Sequence, residues 1–238
     1  MAQIVLDSLD LAALLCSRVC HDVISPVGAI VNGLEVLDEE KDPDTRTFAM
    51  DLVKKSALMA SAKLQFCRLA FGAAGSAGAS IDTGDAESVT RGLFGDDKLK
   101  LVWTVPRVLM AKNRVKLMLN LCLIAATTVP RGGTITVAAE GADDQQILRL
   151  EAKGQYARVA PGVAGLLAGE PEGGNVEAHS IQPFFTGLVA RSVGMAVTIS
   201  VEGDTVVIEA RPASADAPIL SEGDAHDRVD HEMPHAGR

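Results

Sequence analysis

The chain of 238 residues is 47% hydrophobic, enough for a packed core in one large or two small domains, and only 3% aromatic, so that core must be aliphatic. A formal charge of −9 leaves no lysine/arginine surplus to neutralise phosphates, which excludes a general nucleic-acid binder.

Residues from Ser8 to Asp38 read as one long helix. Leu9 and Leu11 through Leu15 open it. Cys16, Val19, Val23, Val27, Ile30, Leu34 and Leu37 then recur at steps of three and four, as in a coiled-coil seam. At ~1.5 Å per residue the helix is roughly 45 Å long. Pro26 bends such a helix without ending it. The charged run from Asp38 to Asp44 is a turn. A second helix follows from Asp44 to Phe71, with Phe48, Leu52, Met59, Ala62, Phe66 and Leu69 on one face. The small-residue run from Gly72 to Ala79 predicts a flexible linker. Two such helices form a hairpin whose apolar stripe cannot be covered within one chain. Pairing two hairpins into a four-helix bundle covers it, so residues 8 to 72 predict a homodimer.

From Asp82 onward the pattern is mixed α/β. Ala86 to Leu93 reads as a short helix and Leu99 to Val105 as a strand. Lys112 to Thr128 is a strongly apolar helix, and Pro130-Arg131-Gly132-Gly133 is a turn into a strand through Thr134 to Val137. Asp143-Asp144 marks a hairpin turn, with Ile147 to Ala152 pairing back. Val176 to Val193 reads as a helix. Met195 to Val201 and Thr205 to Ala210 form a last hairpin about Glu202-Gly203-Asp204. Met110, Met118 and Met195 read as core filler. After Pro212 the chain is polar and acidic, a disordered tail in which His226, His231 and His235 are solvated. The expected fold class is α+β: a helical hairpin in residues 1–75, an α/β unit in residues 80–212, and a tail in residues 213–238.

Cys16, Cys20, Cys67 and Cys122 make no CxxC pair and lie in helix-like apolar runs, so they read as reduced, buried thiols of a cytoplasmic protein and not as a zinc site. No basic segment followed by an apolar run suggests a signal peptide, and no uninterrupted apolar stretch is long enough to span a membrane.

The chemistry concentrates at Cys20-His21-Asp22-Val23-Ile24-Ser25-Pro26. Arg18, His21, Ser25, Gly28 and Asn32 recur at helical steps, a polar, small-residue stripe away from the apolar seam where a partner's surface can approach closely. An exposed imidazole, with a reference pKa of ~6.5, is partly neutral at cytosolic pH and forms a phosphoramidate that is easily passed on.

A histidine followed by an acid, with proline five residues on, resembles the phosphorylated helix of two-component signalling proteins. The second half resembles the Bergerat-type α/β sandwich of histidine-kinase ATPase domains, with its boxes damaged. That family carries Asn-Leu-x-x-Asn-Ala; this chain has Asn120-Leu121-Cys122-Leu123-Ile124-Ala125, with Ile124 where the family's asparagine holds magnesium. The family's Asp-x-Gly-x-Gly, whose aspartate binds adenine, is replaced by Ala152-Lys153-Gly154-Gln155-Tyr156. The Phe box survives as Gln182-Pro183-Phe184-Phe185-Thr186-Gly187, and the Gly-rich phosphate lid is replaced by residues Leu188 to Gly194. The combination, over residues 8 to 211, most closely resembles the ChpT family of histidine phosphotransferases.

The resemblance implies a degenerate ATPase domain that does not use ATP, no intrinsic cofactor, and no metal of its own. His21 would carry phosphate, and Asp22 would hold Nδ1–H so that Nε2 attacks, as triad carboxylates do. Arg18, Ser25, Gly28 and Asn32 would meet the partner, Arg18 by charge. Partners would be the receiver domain of a hybrid histidine kinase as donor and response-regulator receiver domains as acceptors, each supplying the aspartate and the Mg²⁺. No nucleic-acid or membrane partner is expected. The alternative is a non-catalytic scaffold that only binds receiver domains. A His21-Asp22 metal phosphohydrolase dyad would need further ligands, and His179 is the only other histidine before the tail. Asn120 reads as a helix cap or packing residue, not as a retained nucleotide ligand.

Overall fold

The computed structural model describes residues 3–72, 78–94, 98–141 and 145–213. Most of the predicted linker (73–77), the Asp143-Asp144 turn and the tail from residue 214 lie outside the described residues.

Helix α1 (Ser8–Glu39) starts at Asp7, whose carboxylate accepts the amide N–H of Leu9 at 2.8 Å. Helix α2 (Pro43–Ala70) starts at Asp42, which accepts from the Thr45 amide, with Pro43 pre-set at the first helical position. Arg46 reaches back to donate to the carbonyls of Leu37 and Glu40 at the end of α1, closing the turn. The helices pack closely where Gly33 faces Ala49 and Val53.

The single seam expected on α1 divides in two. Val19, Val23, Ile30 and Leu37 are half-buried, on the side where Pro26 and Gly33 are fully covered. Leu9, Ile24, Val27, Val31 and Leu34 are exposed, in a separate stripe. On α2, Phe48 is also exposed, whereas Phe66 and Leu69 are buried. Cys16 and Cys20 lie exposed, contrary to the expectation of burial, because they fall on the outer stripe. Cys67 and Cys122 are covered, and burial pushes their thiols up to about 11 and about 12. By length and composition alone α1 is long and apolar enough to cross a membrane, although its apolar run is interrupted by Arg18, His21 and Asp22.

The α/β unit opens with β1 (Ser80–Asp82), α3 (Thr83–Leu93), β2 (Leu99–Trp103) and β3 (Leu109–Ala111). It continues through α4 (Lys112–Thr128), β4 (Gly133–Glu140), β5 (Ile147–Lys153), α5 (Val163–Ala168), α6 (Ile181–Ser192), β6 (Met195–Glu202) and β7 (Thr205–Pro212). The main sheet has the order β2-β4-β5-β7-β6, with β2 parallel to β4 and the remaining pairs antiparallel. β1 and β3 pair separately. One sheet face is buried: Leu148, Leu150 and Ala152 of β5 and Val206, Ile208 and Ala210 of β7 point under the helices. The other carries Arg149 paired with Glu151 and Glu209. Helix α4 fills the centre, with Leu117, Met118, Leu119, Leu121 and Cys122 fully buried. Met110 and Met195 join that core as expected.

β1 and β3, of three residues each, and the six-residue helix α5 were not legible in the sequence, each being too short to show the period of its kind. The helix expected from Val176 begins only at Ile181, because Ser180 and Glu177 form a local turn first.

The hairpin and the α/β unit share one core. Phe66, Leu69 and Ala70 of α2 belong to the same buried cluster as α4 and the sheet. Each large side chain there contributes about 1.5–3 kcal/mol. At the other end Leu11, Leu14 and Leu15 pack on Leu166, Ile181 and Phe184 of α5 and α6.

α6 crosses α5 at Gly187, where an added Cβ would lie 2.1 Å from the carbonyl oxygen of Leu167. Gly187→Ala is expected to lower stability by about 1–3 kcal/mol, a loss that urea denaturation measures.

Candidate functional site

His21 sits in the second quarter of α1 with its side chain 86% exposed. Its Nδ1 lies 3.7 Å from Asp22 Oδ1. That is longer than a hydrogen bond, and such contacts commonly tighten only when the reacting partner docks. The other oxygen of Asp22, Oδ2, accepts from Arg18 Nε at 2.9 Å, one helical turn back. The order is therefore Arg18 holding Asp22, and Asp22 beside His21. Ser25 and Asn32 are exposed on the same stripe, and nothing lies within 4 Å of the Cβ position of Gly28. The structure thus brings together Arg18, Asp22 and His21, and leaves Ser25, Gly28 and Asn32 as open surface.

One contact was missed from the sequence. Lys63 Nζ on α2 donates to the backbone carbonyl of Asp22 at 2.8 Å. The thiol of Cys67 is raised first by burial and then by the Asp22 charge, against the opposing charges of Arg18 and Lys63, so these four groups form one cluster.

Arg18, Asp22 and Lys63 also line one wall of a cleft of about 480 Å³ between the hairpin and the α/β unit. Phe71, Phe94, Leu123, Ile124 and Val163 make the rest of it largely apolar. The cleft borders the damaged ATPase boxes, and the residues present do not fit Mg-ATP. Ile124 is buried hydrocarbon where a metal-binding amide is required. Ala152 is buried in β5 opposite Ile135 and Val206, with no carboxylate for adenine. The segment Leu188 to Ser192 is not a loop at all but the second half of α6. Among the described residues, no group of three or more His, Cys, Asp or Glu could hold a metal.

Residues 83–205 match the family described as the histidine phosphotransferase C-terminal domain. Protein phosphotransferase ChpT of Brucella abortus (strain 2308) is 48% identical over 208 residues, 87% of this chain and 98% of that protein. A solved structure described as a bacterial phosphotransferase superimposes with a TM-score of 0.81 at 44% identity, over 89% of this chain and 100% of that one. The chain belongs to the ChpT family of histidine phosphotransferases. It is a phosphotransferase of a phosphorelay and not an ATP-dependent kinase.

This histidine phosphotransferase keeps the first asparagine of the kinase box for another purpose. Asn120 is fully buried, and its Nδ2 donates at 2.9 Å to the carbonyl of Ala70, one of the carbonyls that the end of α2 leaves without a helical partner. Gln182 Nε2 donates in turn to the Asn120 carbonyl at 2.9 Å and to Thr186 Oγ1 at 3.0 Å. Phe185 of the surviving Phe box meets Phe71, the cap of α2, with ring centroids 5.7 Å apart. Tyr156 stands at the family's second glycine and retains a glycine-like φ of 65°, with Arg131 over its ring. The expectation that Asn120 caps and packs agrees with this geometry.

Asn120→Ala strands the Ala70 carbonyl in a dry joint. The expected loss is about 1–3 kcal/mol of stability, read by urea denaturation, with hydrogen exchange faster at the end of α2.

Proposed function

We propose that His21 is the phosphoryl carrier of this phosphotransferase. The observation that carries the reading is an almost fully exposed imidazole, set near the start of a polar stripe open to solvent and next to an anchored carboxylate. With the proton held on Nδ1 toward Asp22, the lone pair of Nε2 faces the partner. It attacks the phosphorus of a receiver's phosphoaspartate. The N–P bond forms as the P–O bond breaks, and the donor's aspartate leaves as carboxylate. The phosphoimidazole is cationic, so the Asp22 carboxylate stabilises it. Reversal onto the aspartate of a second receiver completes the relay. Each receiver brings its own Mg²⁺. Ser25, Gly28 and Asn32 leave room for the partner's surface, and Arg18 keeps Asp22 in place.

We further propose a homodimer, acting in the cytoplasm. Leu9, Ile24, Val27, Val31 and Leu34 form an exposed apolar stripe on α1, and Ile24 alone is 68% exposed. A stripe of this kind marks an association surface. A second hairpin supplies the missing half of a four-helix bundle, and leaves the His21 stripe open.

His21→Ala is expected to abolish acquisition of acid-labile, base-stable phosphate from a labelled phospho-receiver, with folding unchanged because the side chain is exposed. Asp22→Asn should slow transfer by about tenfold while receiver binding persists. If the wild-type chain binds receivers but never acquires phosphate, the scaffold reading replaces this one.

Light scattering should give twice the chain mass, and alkylation of Cys16 and Cys20 should slow as protein concentration rises. A monomer with concentration-independent alkylation would contradict the bundle.

A further inference from the structure

Pro26 has no amide hydrogen, so the carbonyl of Asp22, four residues earlier, loses its helical donor. The proline ring also presses that carbonyl away from the helix axis. Pro26 is buried on the side of α1 that meets α2, so the displaced carbonyl cannot simply turn to water. Lys63 fills the vacancy with a charge-assisted bond of 2.8 Å. Lys54 and Lys55, on the same helix, are exposed; Lys63 is half-buried. An ammonium gives up part of its hydration to stand there, which requires a strong acceptor in return.

Asp22 is therefore held at both ends. Its carboxylate is tied to Arg18 Nε at 2.9 Å and its carbonyl to Lys63 Nζ. The peptide plane that follows Asp22 fixes where the carboxylate stands relative to the neighbouring imidazole, whose Nδ1 is 3.7 Å away.

We infer that Lys63 is a positioning residue for phosphoryl transfer, acting through the Asp22 carbonyl that Pro26 leaves without a donor. This rests on His21 being the carrier. Lys63 does not itself touch the phosphoryl group in this assignment. It keeps the first turn above the proline in one conformation, so that Asp22 meets the Nδ1–H and Nε2 faces outward. Without it the carbonyl would be left with no donor on a covered side of the helix, and that turn would sample several geometries.

The inference makes a specific coupling testable. Lys63→Met keeps most of the length of the side chain and removes its donors. The rate of transfer from a saturating phospho-receiver should fall about tenfold, with the receiver's KM unchanged. Lys63→Arg, which can still donate, should recover most of the rate. Pro26→Ala returns an amide hydrogen to residue 26, so the Asp22 carbonyl regains its helical bond. In that background Lys63→Met should cost less than about twofold, a non-additivity characteristic of groups acting through one contact.

Equal losses in both backgrounds would overturn the inference and assign Lys63 to the phosphoryl group or the partner. Full activity of Lys63→Met in the wild-type background would overturn it outright. Should Pro26→Ala be too slow to assay, ¹⁵N spectra of the His21 imidazole decide. The balance between Nδ1–H and Nε2–H forms must differ between wild type and Lys63→Met, and an unchanged balance sinks the idea. His21→Ala serves as the control. If it still relays phosphate, the carrier assignment has failed; if it is inactive while Lys63→Met is normal, only the positioning role has.

Discussion

The hydrogen bond from Asn120 to the carbonyl of Ala70 is the contact on which the arrangement of this molecule depends. A long hairpin touching a separate α/β unit only at its ends would ordinarily swing. Here the last turn of α2 is sunk into the core of that unit, and its unpaired carbonyl is met by a buried amide. Gln182 and Thr186 complete the network, so no polar group is left bare in the joint. Among the described residues, every buried side-chain nitrogen and oxygen has a partner. A fully satisfied network of this kind specifies one arrangement, because every alternative leaves a dry donor or acceptor unpaired.

The same residues explain what became of the kinase machinery. With Ala152 where an adenine-binding carboxylate would stand and Ile124 where a metal-binding amide would stand, no nucleotide cavity needs to stay open. Ile124 and Leu123 now line an apolar cleft, Phe185 packs on the hairpin, and Leu188 to Ser192 are helical where a lid would need to move. Tyr156 keeps a left-handed backbone that a glycine would adopt without strain, held by the structure around it. With no ATP chemistry of its own, the chain depends on phosphate brought by another protein. The exposed His21 stripe suits the proposed docking of a partner that brings it.

α1 reconciles two demands that oppose each other. A nucleophile must be exposed, and an exposed helix face contributes little packing. The helix resolves this by dividing its surface three ways. One side, through Pro26 and Gly33, packs on α2; a second is the apolar stripe assigned to a second copy; the third carries His21. Pro26 would weaken the helix next to His21, the proposed carrier, and Lys63 restores the bond that is lost.

The long periodic elements were legible in the sequence. α4 was read with its observed ends, and α1 and α2 to within a residue or so, because a 3.6-residue apolar period over many turns has one interpretation. His21 and Asp22 were legible together as chain neighbours, and Arg18 as a residue of the same polar stripe; that Arg18 holds Asp22 came from the structure. Pro26 was read only as bending α1. That the Asp22 carbonyl needs a donor, and that Lys63, 41 residues away in sequence, supplies it, was decided by how α2 lies against α1. The exposure of Cys16 and Cys20, the sharing of α1's apolar residues between two faces, and the brief strands β1 and β3 were likewise settled by tertiary contacts. Local sequence determined the elements and the chemistry within one helical turn, since those follow from backbone geometry. Which donor meets which acceptor across elements depended on the packed fold, since burial makes unpaired groups costly only once the surrounding chain has excluded water.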